Sequence, residues 1–213
     1  YDSANRRLRK VITNLGTLNG TTDFLYDGWR VMEEREGAES LTQQYVYGSG
    51  IDEVVLVDQN SNGDDSATGG EDRRLFYHRD TMGSVFALTD TSGDILEGYQ
   101  YDAYGRPTIF NAGNNGVVEF GGDDEVDVGG VSEAGNPLLF TGRRVDSETG
   151  LYYFRNRYLD SESGRFLSRD PIGWWADSGE FGNSQSYVGN SPSNAIDPSG
   201  RVVINIHGVN SQG

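Results

Sequence analysis

Along most of the chain, apolar and polar residues alternate over short stretches bounded by Gly, Asp, Ser and Asn. Leu75-Phe76-Tyr77, Ser84-Val85-Phe86-Ala87-Leu88-Thr89 and Leu96-Glu97-Gly98-Tyr99-Gln100-Tyr101 are of this kind. Side chains alternate across a strand, so a period of two predicts strands with one buried face. Glu53-Val54-Val55-Leu56-Val57 is a further strand by the same reading. Between Val85-Phe86-Ala87-Leu88 and Ile95-Leu96, the run Thr89-Asp90-Thr91-Ser92-Gly93-Asp94 supplies hairpin chemistry and turns Phe86, Leu88 and Ile95 toward a core. Helical periodicity is absent, apart from a short turn expected near Glu33-Glu34-Arg35-Glu36. The pattern predicts an all-β protein.

A small unit recurs. Tyr1-Asp2, Tyr26-Asp27-Gly28 and Tyr101-Asp102-Ala103-Tyr104-Gly105-Arg106 join an aromatic, an acid and usually a nearby Gly, with looser echoes at Tyr77-His78-Arg79-Asp80 and Tyr158-Leu159-Asp160. The physical unit is a hairpin in which the Tyr ring packs on the sheet, the Asp side chain accepts from backbone amides, and Gly takes positive φ. Two polar stretches interrupt the pattern, residues 58–71 and the Gly-rich, acidic residues 111–135, and both are expected on the surface and outside the core. From Asn136 the sequence is dense again. One strand is expected over residues 138–144 and one over 151–160, joined by the turn Asp146-Ser147-Glu148-Thr149-Gly150, with like chemistry at Asp160-Ser161-Glu162-Ser163-Gly164.

Composition agrees with this picture: 30 Gly against 5 Pro and 11% aromatic residues suit many short strands and tight turns. Seventeen Lys and Arg against 33 Asp and Glu leave a formal charge of −16, a surface that repels phosphate backbones and anionic lipid. Nucleic-acid binding and membrane insertion by this segment are therefore not expected. The absence of cysteine excludes disulfides, thiolate catalysis and Cys-based zinc sites. No apolar run reaches the length of a membrane span, and an opening on Tyr1-Asp2-Ser3 reads as a piece of a longer protein.

Residues 141–200 resemble the Rhs repeat-associated core. The likeness rests on Phe140-Thr141-Gly142-Arg143, on residues 150–158 (GLYYFRNRY), on residues 164–173 (GRFLSRDPIG), on Tyr187-Val188-Gly189-Asn190-Ser191-Pro192, and on Asp197-Pro198-Ser199-Gly200. The Tyr-Asp units of the first half agree with it. The resemblance implies YD-repeat hairpins forming part of a spiralling β-sheet shell, or cocoon, closed by a core or plug segment around a C-terminal effector. It divides the chain into a repeat segment (1–135), a core with an autocleavage motif (136–201) and the start of the effector (202–213). Relatives in that family act in interbacterial competition and in insecticidal toxin complexes. They are made in the bacterial cytoplasm and delivered to the cell surface or beyond, so a secretion machinery or adaptor is an expected partner beside the chain's own effector.

The family's bacterial members cut their chain after Asp-Pro-x-Gly, which implies a cut at Arg201–Val202, with Pro171, Gly173, Pro198 and Gly200 as motif positions. Asp170 and Asp197 flank a Gly/Ser/Asn-rich segment. Two carboxylates brought together in a partly dry site cannot both ionise cheaply, so one keeps a proton and the pair serves as acid and base. One activates water, the other protonates the leaving amide, and Arg169 orients a carboxylate or holds developing charge. Residues 174–181 (WWADSGEF) are longer and more aromatic than the family's usual link, and Asp177 or Glu180 are alternative partners for Asp170. Arg201 stands where the family usually has an apolar residue. No cofactor or metal is called for.

Other signals carry less. Asp58-Gln59-Asn60-Ser61-Asn62-Gly63 opens like a calcium loop, but its twelfth position is Gly69, not a bidentate Glu. His78 has no serine elbow to serve, and Trp29, Trp174 and Trp175 read as packing residues. Residues 202–211 (VVINIHGVNS) read as a buried strand ending in His-Gly, the way many α/β-hydrolases begin. Two rivals to a self-cleaving shell therefore stand: a non-cleaving structural repeat module, and the edge of a hydrolase effector.

Overall fold

The computed structural model describes residues 1–37, 39–67, 69, 72–112, 117–118, 125–128, 132–172 and 183–206. Ten strands form one antiparallel meander in chain order: β1 (Arg9–Ile12), β2 (Gly20–Asp27), β3 (Arg30–Glu36), β4 (Ser40–Tyr47), β5 (Val54–Gln59), β6 (Arg73–Arg79), β7 (Val85–Thr89), β8 (Ile95–Tyr101), β9 (Pro107–Asn111) and β10 (Glu125–Val128). A second sheet holds β11 (Arg144–Asp146), β12 (Leu151–Phe154), β13 (Arg157–Asp160) and β14 (Arg165–Phe166), and β15 (Ala195–Ile196) pairs with β16 (Ile204–Asn205). The all-β expectation holds.

One turn is used four times. At Asp2, Asp80, Asp90 and Asp102 the side-chain Oδ1 accepts the N–H two residues on and again four residues on, at 2.7–3.1 Å. The residue three places on has positive φ: Asn5, Gly83, Gly93 and Gly105. The aspartate thus replaces water for two amides the turn leaves unpaired, which is why these hairpins need an acid followed by Gly or Asn. A second device was not legible in the sequence. The hydroxyls of Tyr26, Tyr47 and Tyr101 donate to the backbone carbonyls of Arg7, Val31 and Val85, so strand-end tyrosines clasp the neighbouring stretch of chain.

The large sheet packs one face on the second sheet through a single core. Val57, Leu75, Leu88 and Ile109 come from the first, Tyr152, Phe154, Leu159 and Phe166 from the second, with Phe140 and Tyr187 between them. Residues 132–136 are tied to β8 by the buried Glu97, which accepts from Ser132 Oγ at 2.6 Å and Ala134 N at 2.6 Å.

Several local expectations change. The Glu33–Glu36 stretch lies in β3 and not in a helical turn, because pairing with β2 and β4 satisfies its backbone on both sides. Asp58, Gln59, Ala67, Ser132 and Ala134 are buried, so parts of the two polar stretches belong to the interior, and residues 125–128 form a strand. Residues 138–144 are a kinked 3-10 turn leading into β11, and residues 151–160 are two strands folded back at Arg155-Asn156. Leu88 is buried, Ile95 half-buried and Phe86 exposed; a bulge in the β6–β7 pairing, between His78 and Arg79, breaks the alternation there. Of the expected buried strand, Val202, Ile204 and Asn205 are exposed, Val203 and Ile206 are half-buried, and Ile204 and Asn205 form a strand; residues 207–211 of the expected hydrolase opening lie outside the described residues.

Gly93 and Gly105 occupy the same turn position at φ 88° and 91°. A Cβ at Gly93 would meet nothing within 4 Å, whereas one at Gly105 would lie 2.4 Å from the Phe140 ring. Gly93→Ala should cost about 1–2 kcal/mol for the left-handed backbone alone. Gly105→Ala should cost about 1–3 kcal/mol more for the clash; urea unfolding of the two variants checks the difference.

Candidate functional site

β13 runs inward at Arg157 and Leu159, which share one face of the strand; both are buried, the arginine at 2% exposure. That places a guanidinium at the foot of the second sheet, its Cζ 3.6 Å from the centre of the Phe166 ring. After β14 the chain reaches Asp170, whose own N–H donates to Ser184 O and whose Oδ1 caps the following turn by accepting from Ile172 N at 2.9 Å. Segment 183–187 returns alongside β14, through the Arg165–Ser186 bridge, and leads to β15 and Asp197.

Arg157 Nη2 lies 2.9 Å from Asp170 Oδ2 and 2.9 Å from Asp197 Oδ2. The two carboxylates are therefore separated by no more than twice that distance, and all three side chains are nearly fully buried. The arrangement differs from a bare acid pair. A cation stands between the acids and offsets their mutual repulsion. Asp170 Oδ2 makes its contact as an ion pair without hydrogen-bond alignment among the described residues, so Asp197 is the better-held partner.

The other oxygen of Asp197 faces the backbone ahead. Oδ1 accepts from Ser199 N at 3.2 Å, Arg201 N at 3.0 Å and Val202 N at 3.1 Å. Arg157 Nε donates to Gly200 O at 2.7 Å and Nη1 to Ser184 O at 3.3 Å. Peptide bonds on both sides of Arg201 thus have their nitrogens on one carboxylate, and the first has its carbonyl on the arginine. Gly200 is required by this approach: at φ 68° its Cβ would sit 2.3 Å from Phe154 O.

The expected pair Asp170 and Asp197 is brought together. Arg169 is exposed, and the arginine between the acids is Arg157. Arg201 and Val202 are exposed next to Asp197, Pro171 is exposed, Pro198 half-buried and Gly200 buried. Gly173, Trp174, Trp175, Asp177 and Glu180 lie outside the described residues. The signal for Arg157 was present in the sequence: a charge at the inward parity of a strand whose neighbour two places on is Leu159. Tyr187, packed edge-on against Phe154 at 5.5 Å and Phe166 at 5.8 Å, closes the site from above; burial pushes its phenol far up, so it stays neutral. The 58–71 loop offers no group of three or more metal-ligating side chains among its described residues, and His78 bonds Thr89 Oγ1 on the exposed face.

No family model matches the chain. In sequence it is 34% identical over 211 residues to the tRNA3(Ser)-specific nuclease WapA of Bacillus spizizenii, covering 95% of this chain and 7% of that protein. It is 29% identical over 187 residues to the double-stranded DNA deaminase toxin A of Burkholderia cenocepacia, covering 81% of this chain and 12% of the relative. The chain therefore spans only a small part of the curated relatives it matches. In structure it superposes on the crystal structure of TcdB2-TccC3 with a TM-score of 0.67 at 19% identity, over 94% of this chain and 9% of that one.

Removing Arg157 leaves two buried carboxylates without their shared counter-charge. Arg157→Met should lower the unfolding free energy by about 3–5 kcal/mol, and adding Asp170→Asn should return part of it. Urea unfolding of both variants measures this.

Proposed function

We propose, for a chain whose relatives are toxin proteins and whose fold is that of a part of TcdB2-TccC3, that it is the closing segment of an Rhs-type shell. In this reading it hydrolyses its own backbone once, freeing a C-terminal effector covalently from the shell around it. Residues 1–135 are the repeat sheet, 136–201 the self-cleaving core and 202–213 the start of the effector. The observation that carries the reading is Asp197 Oδ1 against the N–H groups of Arg201 and Val202, with Asp170 held beside it by Arg157.

The reaction adds water across Arg201–Val202. Asp170 takes the proton as water oxygen bonds to the Arg201 carbonyl carbon. Asp170 returns that proton to the leaving nitrogen as the carbon–nitrogen bond breaks, while Asp197 stays a carboxylate that holds this nitrogen by its N–H, and the new carboxyl group on Arg201 passes its proton to the amine on Val202. Arg157 supplies the fixed positive charge that keeps both acids in place. It is a single-turnover aspartyl protease, with its own effector as partner, consistent with secretion or surface delivery after synthesis in a bacterial cytoplasm.

One observation favours the adjacent bond as a second reading. Gly200 O accepts from Arg157 Nε and Arg201 N rests on Asp197, so Gly200–Arg201 has its carbonyl polarised and its nitrogen held. The relatives matched are named for different activities, a nuclease and a deaminase, which supports assigning the shared segment to a part other than the effector. No helix among the described residues is long and apolar enough to cross a membrane.

Intact mass of the chain expressed with its downstream sequence tests this. The expected result is a product ending at Arg201 that is absent in Asp170→Asn and Asp197→Asn; a product ending at Gly200 selects the second bond. A chain that stays whole in every form makes it a structural module.

A further inference from the structure

Among the described residues, Asp52 links the large sheet to the site of the proposed cleavage. In the loop between β4 and β5, Asp52 pairs through Oδ2 with Arg143 Nη2 and through Oδ1 with Arg155 Nη2. The two guanidiniums point their other ends at one acceptor: Arg143 Nη1 donates to Pro198 O at 3.0 Å and Arg155 Nη1 at 2.6 Å. All three side chains are largely buried, at 12%, 6% and 14% exposure. We propose that Asp52 is a positioning residue for self-cleavage, holding the Arg143–Arg155 fork that fixes the Pro198 carbonyl and so sets the Asp197 turn.

The link to chemistry is the rigidity of the peptide plane. Pro198 C=O and Ser199 N–H belong to one planar unit. Gripping the carbonyl from one side aims the N–H at Asp197 Oδ1, the same oxygen that meets Arg201 N and Val202 N. Two like charges converging on one carbonyl repel: burial and then Arg143 lower the proton affinity of Arg155, and Asp52 opposes them. Without the carboxylate the fork has no reason to stay closed.

Backbone conformation points the same way. Asp52 and Arg155, partners in the clamp, are both non-glycine residues at positive φ, 52° and 61°. Each such position strains the backbone of a residue with a Cβ, and mutual pairing is what the structure shows in return. The loop under Asp52 is itself braced: Gly50 N donates to Glu53 Oε2 at 2.7 Å, and Arg30 Nη2 to the carbonyls of Gly48 and Gly50. Cleavage geometry therefore depends on a folded repeat sheet, and a core whose sheet has not yet closed over it is held inactive.

This rests on the self-cleavage reading, and the test separates the two. The chain with its downstream sequence is diluted from urea and product is followed by intact mass. Asp52→Asn keeps a residue at ease at positive φ. Asp52→Asn with Arg155→Met also removes the unpaired cation, guarding against simple unfolding. Both should slow cleavage by at least about tenfold at a temperature where their uncut Asp170→Asn counterparts are fully folded by circular dichroism. Asp52→Glu should recover more rate than Asp52→Gln. A folded double variant that cuts at the wild-type rate, or Glu and Gln variants that cut alike, overturns the positioning role. A wild-type chain that never cuts overturns the cleavage reading, and the inference falls with it.

Discussion

Burying Arg157 constrains the rest of the structure. A guanidinium moved out of water costs several kcal/mol unless its hydrogens are met and its charge is balanced. The chain meets the demand with two carboxylates and two carbonyls, drawn from segments around 170, 184, 197 and 200. None of these segments has much regular structure; β15 is two residues long. What orders them is the set of obligations of one buried cation. The stack of Phe154, Phe166 and Tyr187 dries the site and makes those obligations strict.

The same logic is repeated around it. Arg7 pairs with Asp146 between the rings of Phe24 and Tyr153, and Arg144 with Glu34 between Phe24 and Tyr45. Each joins the first half of the chain to the second sheet. Such pairs contribute less to net stability than apolar residues of equal volume would, because desolvation offsets their attraction. They do specify which strand meets which, since a slipped register would leave a charge unpaired in the interior. A protein with few helices and many similar hairpins has many near-equivalent pairings to exclude.

The large features were legible because they depend on local chemistry. An Asp followed three residues later by Gly builds its turn from its own side chain, and strand alternation follows from the pleat. Asp170 and Asp197 stand out by their motif positions, and their meeting across 26 intervening residues is a property of the fold. What stayed hidden was set by non-local packing. Glu33 to Glu36 looked helical because charge density says nothing about the strands on either side, and Asp58 looked solvated because its partner, Arg74, lies on the next strand. Adjacency in sequence to Asp170 points to Arg169, whereas the arginine that meets both acids in space is Arg157. Inward parity with Leu159 was the better guide.

The strands beside the proposed cut separate two events that are easily merged. β15 precedes Arg201 and β16 follows it, and they pair through Ala195–Asn205 and Ile196–Ile204. Hydrolysis between them breaks no hydrogen bond of that pairing. A two-residue ladder is weak by itself, and the new carboxylate on Arg201 would appear beside Asp197, where two acids already share one arginine. Repulsion then works against re-forming the bond and toward parting of the strands. In the proposed reaction the cut makes the effector separable, and the electrostatics of its own product supply the bias for it to leave the site.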